Sequence, residues 1–386
     1  MKHSGYSKNL KSTQKGLSLV ELLVALALSG TLMAGVVGVF MGMFQGDRSV
    51  EGVSRMQETG RFALNFLSQD IRMAGYLGCS STLDKATINN TLAGGGPASF
   101  QPDRSIQGWE ATGTDPGQTN NAVVDEAVTS TAFGWGTSGG NVIDNFNAIP
   151  GTDFFRVWSI DQDVEGTLNS IDTSGNPTVI NVNNDAGIAA TDILLLSNCE
   201  DADWVQACDL DTATAPAGTV DLELSGTCAP GNIASAPITV ASGGTVMKLA
   251  GTVYYIGKRG DTSTNPPALF RRQLDDDGTV GAAEELVEGV EDMQILYGEN
   301  TNNDASNSAD RFIPADQVTT WDNVVSVRIS LLVRSIEDNL VPAPQAYTFN
   351  GEDYDGESGN GSLPPDGRLR RVFTSTINLR NVTLGG

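Results

Sequence analysis

The chain has 386 residues, with 47 acidic against 23 basic side chains, a formal charge of −24 and a single histidine, His3. Acidity on that scale argues against nucleic acid and anionic lipid as partners, since both are held by basic patches. One histidine, in a segment argued below to be removed, argues against serine, cysteine and zinc catalysis, which usually depend on histidine as base or ligand. Carboxylate-only chemistry stays open, but no spacing singles out a pair.

The first sixteen residues are polar and basic. From Leu17 an apolar run continues to about Phe44 with one ionisable side chain in it, Glu21. About 20 mostly apolar residues suffice to cross a bilayer. A charged group in mid-membrane costs roughly 2.5 to 3.5 kcal/mol, so Glu21 needs a partner. Cleavage between Gly16 and Leu17 would supply one, because the new α-amino group lies one helical turn before Glu21 and can neutralise it or its copy on an adjacent chain. An ordinary secretory signal is cut after its apolar core at an A-x-A-like site, and residues 31 to 46 offer none. A plain signal anchor leaves Glu21 unexplained.

Lys15-Gly16, an apolar residue and then Glu21 resemble the class III signal of type IV prepilins. The resemblance implies that a membrane-embedded aspartyl peptidase cuts after Gly16 and methylates Leu17, that Glu21 guides docking, and that the apolar helices bundle into a filament. Lysines 2, 8, 11 and 15 hold the leader on the cytoplasmic side, so the C-terminal mass is exported. Loss of the sixteen leader residues leaves 370, ample for a globular core, and removes four lysines and no acid, taking the formal charge from −24 to −28. The chain lacks the proline that major pilins usually carry in this helix. Gly30, Gly35, Gly38 and Gly42 stand there instead, either as points of bending or as surfaces for close helix packing.

Beyond the apolar run, Val53, Met56, Gly60, Ala63, Leu67, Ile71 and Ala74 recur at spacings of three and four, a helical stripe. Gly75 stands where a helix-ending glycine belongs. The pattern predicts a long helix over 17–76, with 17–44 in membrane or filament core. Within it, the string from Gln57 to Cys79, which includes Gly60-Arg61-Phe62 and Gln69-Asp70-Ile71-Arg72, resembles the PilW family of type IV pilus assembly proteins. Glu285–Gly298 and Leu369–Asn381 resemble the same family, the latter as its closing strand. Asp70 and Arg72 read as a solvated face or as a contact to sheet or neighbour.

Residues 77–386 read as a β-rich exported domain with an insertion over about 80–280. Residues 80 to 150 are turn-rich, with Trp109, Phe133 and Trp135 as anchors. Strands are expected at 153–158, 192–197, 252–256, 269–274, 293–297, 324–333 and 372–379. Val325, Val327, Ile329, Leu331 and Val333 alternate with Ser326, Arg328 and Ser330, one face buried and one wet. Cys79, Cys199, Cys208 and Cys228 all lie in the exported part, where disulfides persist. Three pairings are open, and Cys199 with Cys208 and Cys79 with Cys228 is the expected one. The acidic runs at 275–278, 300–310 and 352–357 lack the ligand order of a calcium loop and read as solvated turns. No metal or cofactor is expected.

The fold expected is α+β and type IV pilin-like: a long N-terminal helix on antiparallel sheet with large loop insertions. By resemblance the function is that of a non-enzymatic minor pilin of PilW type, a subunit of a priming or tip complex. Its partners would be PilV-, PilX- and FimU-like minor pilins, the major pilin, the prepilin peptidase and a PilY-type adhesin, first in the inner membrane and then in the pulled-out fibre. The alternatives are a J-like minor pseudopilin of type II secretion, an anchored surface adhesin, and a periplasmic hydrolase working with carboxylates.

Overall fold

The computed structural model describes residues 16, 18–79, 88–95, 104–111, 113–118, 148–149, 151–175, 177–183, 187–233, 237–260, 265–274, 281–302, 308–356 and 363–381. Residues 1–15 of the leader, Leu17, Phe133, Trp135 and the 275–278 run lie outside them. The first element among the described residues is the α-helix α1 (Leu19–Met73). By its contacts the chain divides inside that helix, between Glu51 and Gly52, and the two parts are taken separately.

In the first part every described apolar side chain of α1 is exposed, Leu19, Leu32 and Phe44 by two thirds or more. The hydroxyls in this run are satisfied within the helix: Ser29 donates to the Ala25 carbonyl at 2.7 Å and Thr31 to that of Leu28 at 2.9 Å. Such back-bonding is what a polar group in hydrocarbon requires.

The second part is β-rich. In chain order the strands are β1 (Asn89–Asn90), β2 (Ile106–Trp109), β3 (Phe154–Asp172), β4 (Thr178–Asn183), β5 (Ile193–Ser197), β6 (Ala202–Gln206), β7 (Asp209–Asp211), β8 (Thr219–Leu224) and β9 (Thr245–Lys258). Then come β10 (Pro267–Leu274), β11 (Glu284–Glu288), β12 (Val290–Glu299), β13 (Arg311–Ile313), β14 (Val324–Arg334), β15 (Tyr347–Phe349), β16 (Glu352–Tyr354) and β17 (Arg370–Asn378). All seven expected strands are present, mostly longer than their apolar cores. β1 to β11 form one sheet, in which the long β3 and β9 pair with each other and hold the shorter strands along their lengths. The described residues of the 80–280 segment form most of this sheet, with apolar clusters of their own. β5 shows why: Ile193 and Leu195 enter one apolar cluster, Leu194 and Leu196 another, so a continuous apolar run is buried on both faces.

The second sheet is antiparallel, in the order β13-β12-β14-β17, with β14 returning beside β12 rather than beside β13. The α1 stripe of Met56, Ala63, Leu67 and Ile71 packs with inward residues of this sheet and with Phe155, Tyr254 and Leu269 of the first. Helix and sheet approach closely at Gly60, where a Cβ would come within 2.5 Å of the Phe373 ring. The expected wet face of β14 is only partly wet. Arg328 and Ser330 are half-exposed, but Ser326 is buried and Leu332 is covered by Phe349 and Tyr354 of the β15–β16 hairpin.

Gly75 ends α1 with φ 72°, as glycine does at helix ends. Its N–H donates to the Trp158 carbonyl at 2.7 Å, and Ile160 N–H donates to Tyr76 at 3.1 Å, tying the helix end to β3. Asp70, half-exposed, accepts a hydrogen bond from the Tyr254 hydroxyl on β9, so it contacts the sheet. Burial and the Asp70 carboxylate together push that hydroxyl well above the ordinary tyrosine range.

The disulfides are Cys79–Cys199 and Cys208–Cys228, which corrects the expected pairing. Cys199 lies in the turn between β5 and β6, whereas Cys208 follows β6 at the far end of that hairpin. Five of the eight intervening residues form β6, and a strand of five holds its ends some 17 Å apart, beyond disulfide reach. Cys79 is carried past the end of α1 onto the hairpin turn instead. Cys208 and Cys228 meet at the ends of β6 and β8, where Cys208 N–H also donates to Glu223 at 2.9 Å.

Candidate functional site

Two regions carry chemistry: the N-terminal segment and the joint between the sheets. In the first, Gly16 is exposed, and the Ser18 carbonyl accepts the Leu22 N–H at 3.1 Å, so helical bonding starts within two residues of the expected cut. Glu21 occupies the first turn of α1 and is exposed. Leu17 lies outside the described residues. Gly30, Gly35, Gly38 and Gly42 each have open space where a Cβ would stand.

The joint is built by carboxylates that the sequence reading did not single out. Asp153, just before β3, accepts from Ala111 N–H at 3.0 Å and from Ile295 N–H of β12 at 2.8 Å, while its own N–H donates to Met293 at 2.9 Å. One side chain thus stitches β12 to the segment after β2. Glu110 accepts from Thr114 Oγ1 and Ala315 N–H, both at 3.3 Å. Burial pushes Glu110 up to about 8 and Asp153 well above the carboxylate range, each reinforced by neighbouring acids: Asp316 and Asp115 for Glu110, Glu110 and Asp292 for Asp153. Tyr297 reaches the same joint against Gly108 and is pushed up first by burial, then by Asp153 and Glu110. The signal that could have found this joint was Asp153 directly before an apolar strand.

An acid whose folded value is raised stabilises the fold fully below its unfolded value of about 4.5 and loses that contribution as pH rises through its folded value. Stability should therefore fall between pH 5 and 8, and Glu110→Gln should flatten that fall. Thermal unfolding of the full chain in detergent across this range is the check; an unchanged slope would contradict the assignment.

Among the described residues no group of three or more His, Cys, Asp or Glu could hold a metal. In the expected acidic turns, Asp310 accepts from Thr301 N–H at 2.8 Å and Asp353 from Thr348 Oγ1 at 2.6 Å, closing loops.

The family model described as Type IV Pilus-assembly protein W matches residues 253–381, covering β12 to β17 and the strands just before them. The prokaryotic N-terminal methylation motif matches residues 11–37. Among solved structures, the type IV-like pilin TTHA1219 from Thermus thermophilus is similar at 16% identity over 35% of this chain and 69% of that one, with a TM-score of 0.22. No curated protein matches.

Proposed function

Starting from a type IV pilin-like minor pilin of the PilW family, with an N-terminal methylation motif ahead of a C-terminal PilW domain, we propose that this chain is a subunit of the complex that primes a type IV pilus in the inner membrane and travels with the fibre near its tip. The observation that carries the reading is an entirely exposed apolar half-helix with one carboxylate, Glu21, in its first turn. An apolar surface of that extent is not stable in water. It can leave lipid only where other helices replace the lipid contacts, which makes the chain a subunit.

The pilin family is structural, and we read the chain as a non-enzyme. Partners on this reading are other pilins and the prepilin peptidase, with PilV-, PilX- and FimU-like subunits beside it and a PilY-type adhesin as cargo. The leader is cytoplasmic, the β-rich part periplasmic and then at the cell surface. The secretion pseudopilin reading is less favoured because the sheet of β1 to β11 adds a second core that a small pseudopilin has no need of.

Gly16 is the residue to test. Gly16→Leu should block the cut, leaving a membrane-bound precursor that keeps its leader and is missing from sheared fibres. A mass spectrum showing Leu17 as the new terminus in that variant would overturn the assignment.

A further inference from the structure

We propose that the seam between α1 and β17 is a docking surface for an adjoining pilin-type subunit that presents carboxylates along a strand edge. Arg61 and Arg72 on α1, Arg371 on β17 and Arg380 just after it are all exposed. None forms an ion pair among the described residues; Arg61 and Arg371 lie only over the rings of Phe62 and Phe373. In a chain with twice as many acids as bases this is unusual, since Lys248, Arg259, Arg271, Arg311 and Arg370 each hold a carboxylate.

Two contacts set α1 and β17 side by side. Gly60 meets the Phe373 ring, and Asn381 Nδ2 donates to the carbonyls of Arg72 and Ala74 at 3.5 Å. β17 therefore runs beside α1 in the same direction, with Arg371 toward the Arg61 end and Arg380 toward the Arg72 end. Arg61 and Arg72 are eleven residues apart, about three turns and roughly 17 Å, so they share a helix face. The strand beside them offers an open ladder. β17 pairs with β14 in unbroken register over nine residues, Ser326↔Asn378 to Arg334↔Arg370, and its outer edge has no partner among the described residues. Such an edge is a template for a further chain.

Charge names the occupant. The opposite flank of α1 shows what a matching surface looks like: β11 carries Glu284, Glu285 and Glu288 beside a groove of about 470 Å³ that includes Phe62, Phe66 and Ile336. Glu284 and Glu285 are held by Arg271 and Arg259, whereas Glu288 and Glu58 are exposed at the groove, which Arg55 also lines, so acids outnumber bases there two to one. A basic seam on one side of a helix and an acidic edge on the other make a head-to-tail contact, the kind that propagates into filaments. Opposed charges then set register and suppress wrong neighbours.

The inference rests on the subunit reading above and deepens it. The test uses the full chain in fibre-forming cells. Arg61→Lys and Arg371→Lys keep the charge and supply amines that a carbodiimide couples to any carboxylate in contact. The expected product is a linked peptide joining position 61 or 371 to an Asp or Glu of an identified pilin-type subunit. Arg61→Glu with Arg371→Glu should lower the chain's content in sheared fibres about tenfold, or 1.4 kcal/mol, with leader cleavage and unfolding temperature unchanged. Full fibre content in the reversed variant, or links to no pilin-type subunit, would overturn the seam and leave the subunit reading intact. Absence of the unaltered chain from fibres would instead sink that reading.

Discussion

Glu21→Val should give a chain that is cut after Gly16, accumulates in the membrane and is lost from sheared fibres. Valine removes the cost of holding a carboxylate in hydrocarbon, so the variant is at least as stable in lipid as the original. What it loses is the partner of the α-amino group uncovered by the cut. Breaking a buried charge pair by removing one member costs about 3–5 kcal/mol, because the other is left uncompensated. At 1.4 kcal/mol per factor of ten, that is a loss of about two to three and a half orders of magnitude in incorporation. The check is the ratio of chain in sheared fibres to chain in membranes, with the terminus read by mass. Normal incorporation of the cut variant would show that the pairing has no part in assembly.

Glu291→Gln should be among the most destabilising single changes in the β13-β12-β14-β17 sheet. Glu291 on β12 is 3% exposed and receives Arg370 at 2.7 and 3.0 Å and Arg334 at 3.3 Å. Arg370 also grips Asp366 at 2.7 and 2.8 Å. Burial alone would raise Asp366, but the two bonds from Arg370 win and hold it below the ordinary carboxylate range. With Glu291 neutral, two buried guanidinium groups share one half-buried acid, at a cost of about 3–5 kcal/mol. Thermal unfolding of the full chain should drop by on the order of 10 °C. Replacing Glu291, Arg334 and Arg370 together by apolar residues should recover much of that drop, because the desolvation cost leaves with the charges. A drop of only about one degree in Glu291→Gln would contradict the burial argument.

The parts of the fold that were legible in the sequence are those with one dominant period. The α1 stripe from Met56 to Ile71 recurs at three and four, and Val325 to Val333 alternates, so helix and β14 could be placed before any contact was known. Gly75 could be assigned because a positive φ at a helix end is glycine's ordinary place. The sheet of β1 to β11 was less legible. Its strands are short or shared between partners, and β3 carries the Asp161–Asn169 stretch, whose polar residues hide a nineteen-residue strand among turn signals. The disulfides were misread for the same reason: nearness in sequence was taken for nearness in space across what is a rigid hairpin. The Asp153 joint left a single mark, an acid directly before an apolar strand, because Glu110, Asp153 and Ile295 come together only when the two sheets do. The N-terminal methylation motif was legible because a glycine, a charge and an apolar run coincide within a few residues.

The most direct measurement is the N-terminal mass of the chain recovered from sheared fibres. The expected result is a polypeptide beginning at an N-methylated Leu17, with Glu21 intact behind it. A chain that still begins at Met1, or one trimmed beyond Phe44, would contradict the claim that cleavage creates the partner for Glu21 and with it the claim that this protein is a fibre subunit.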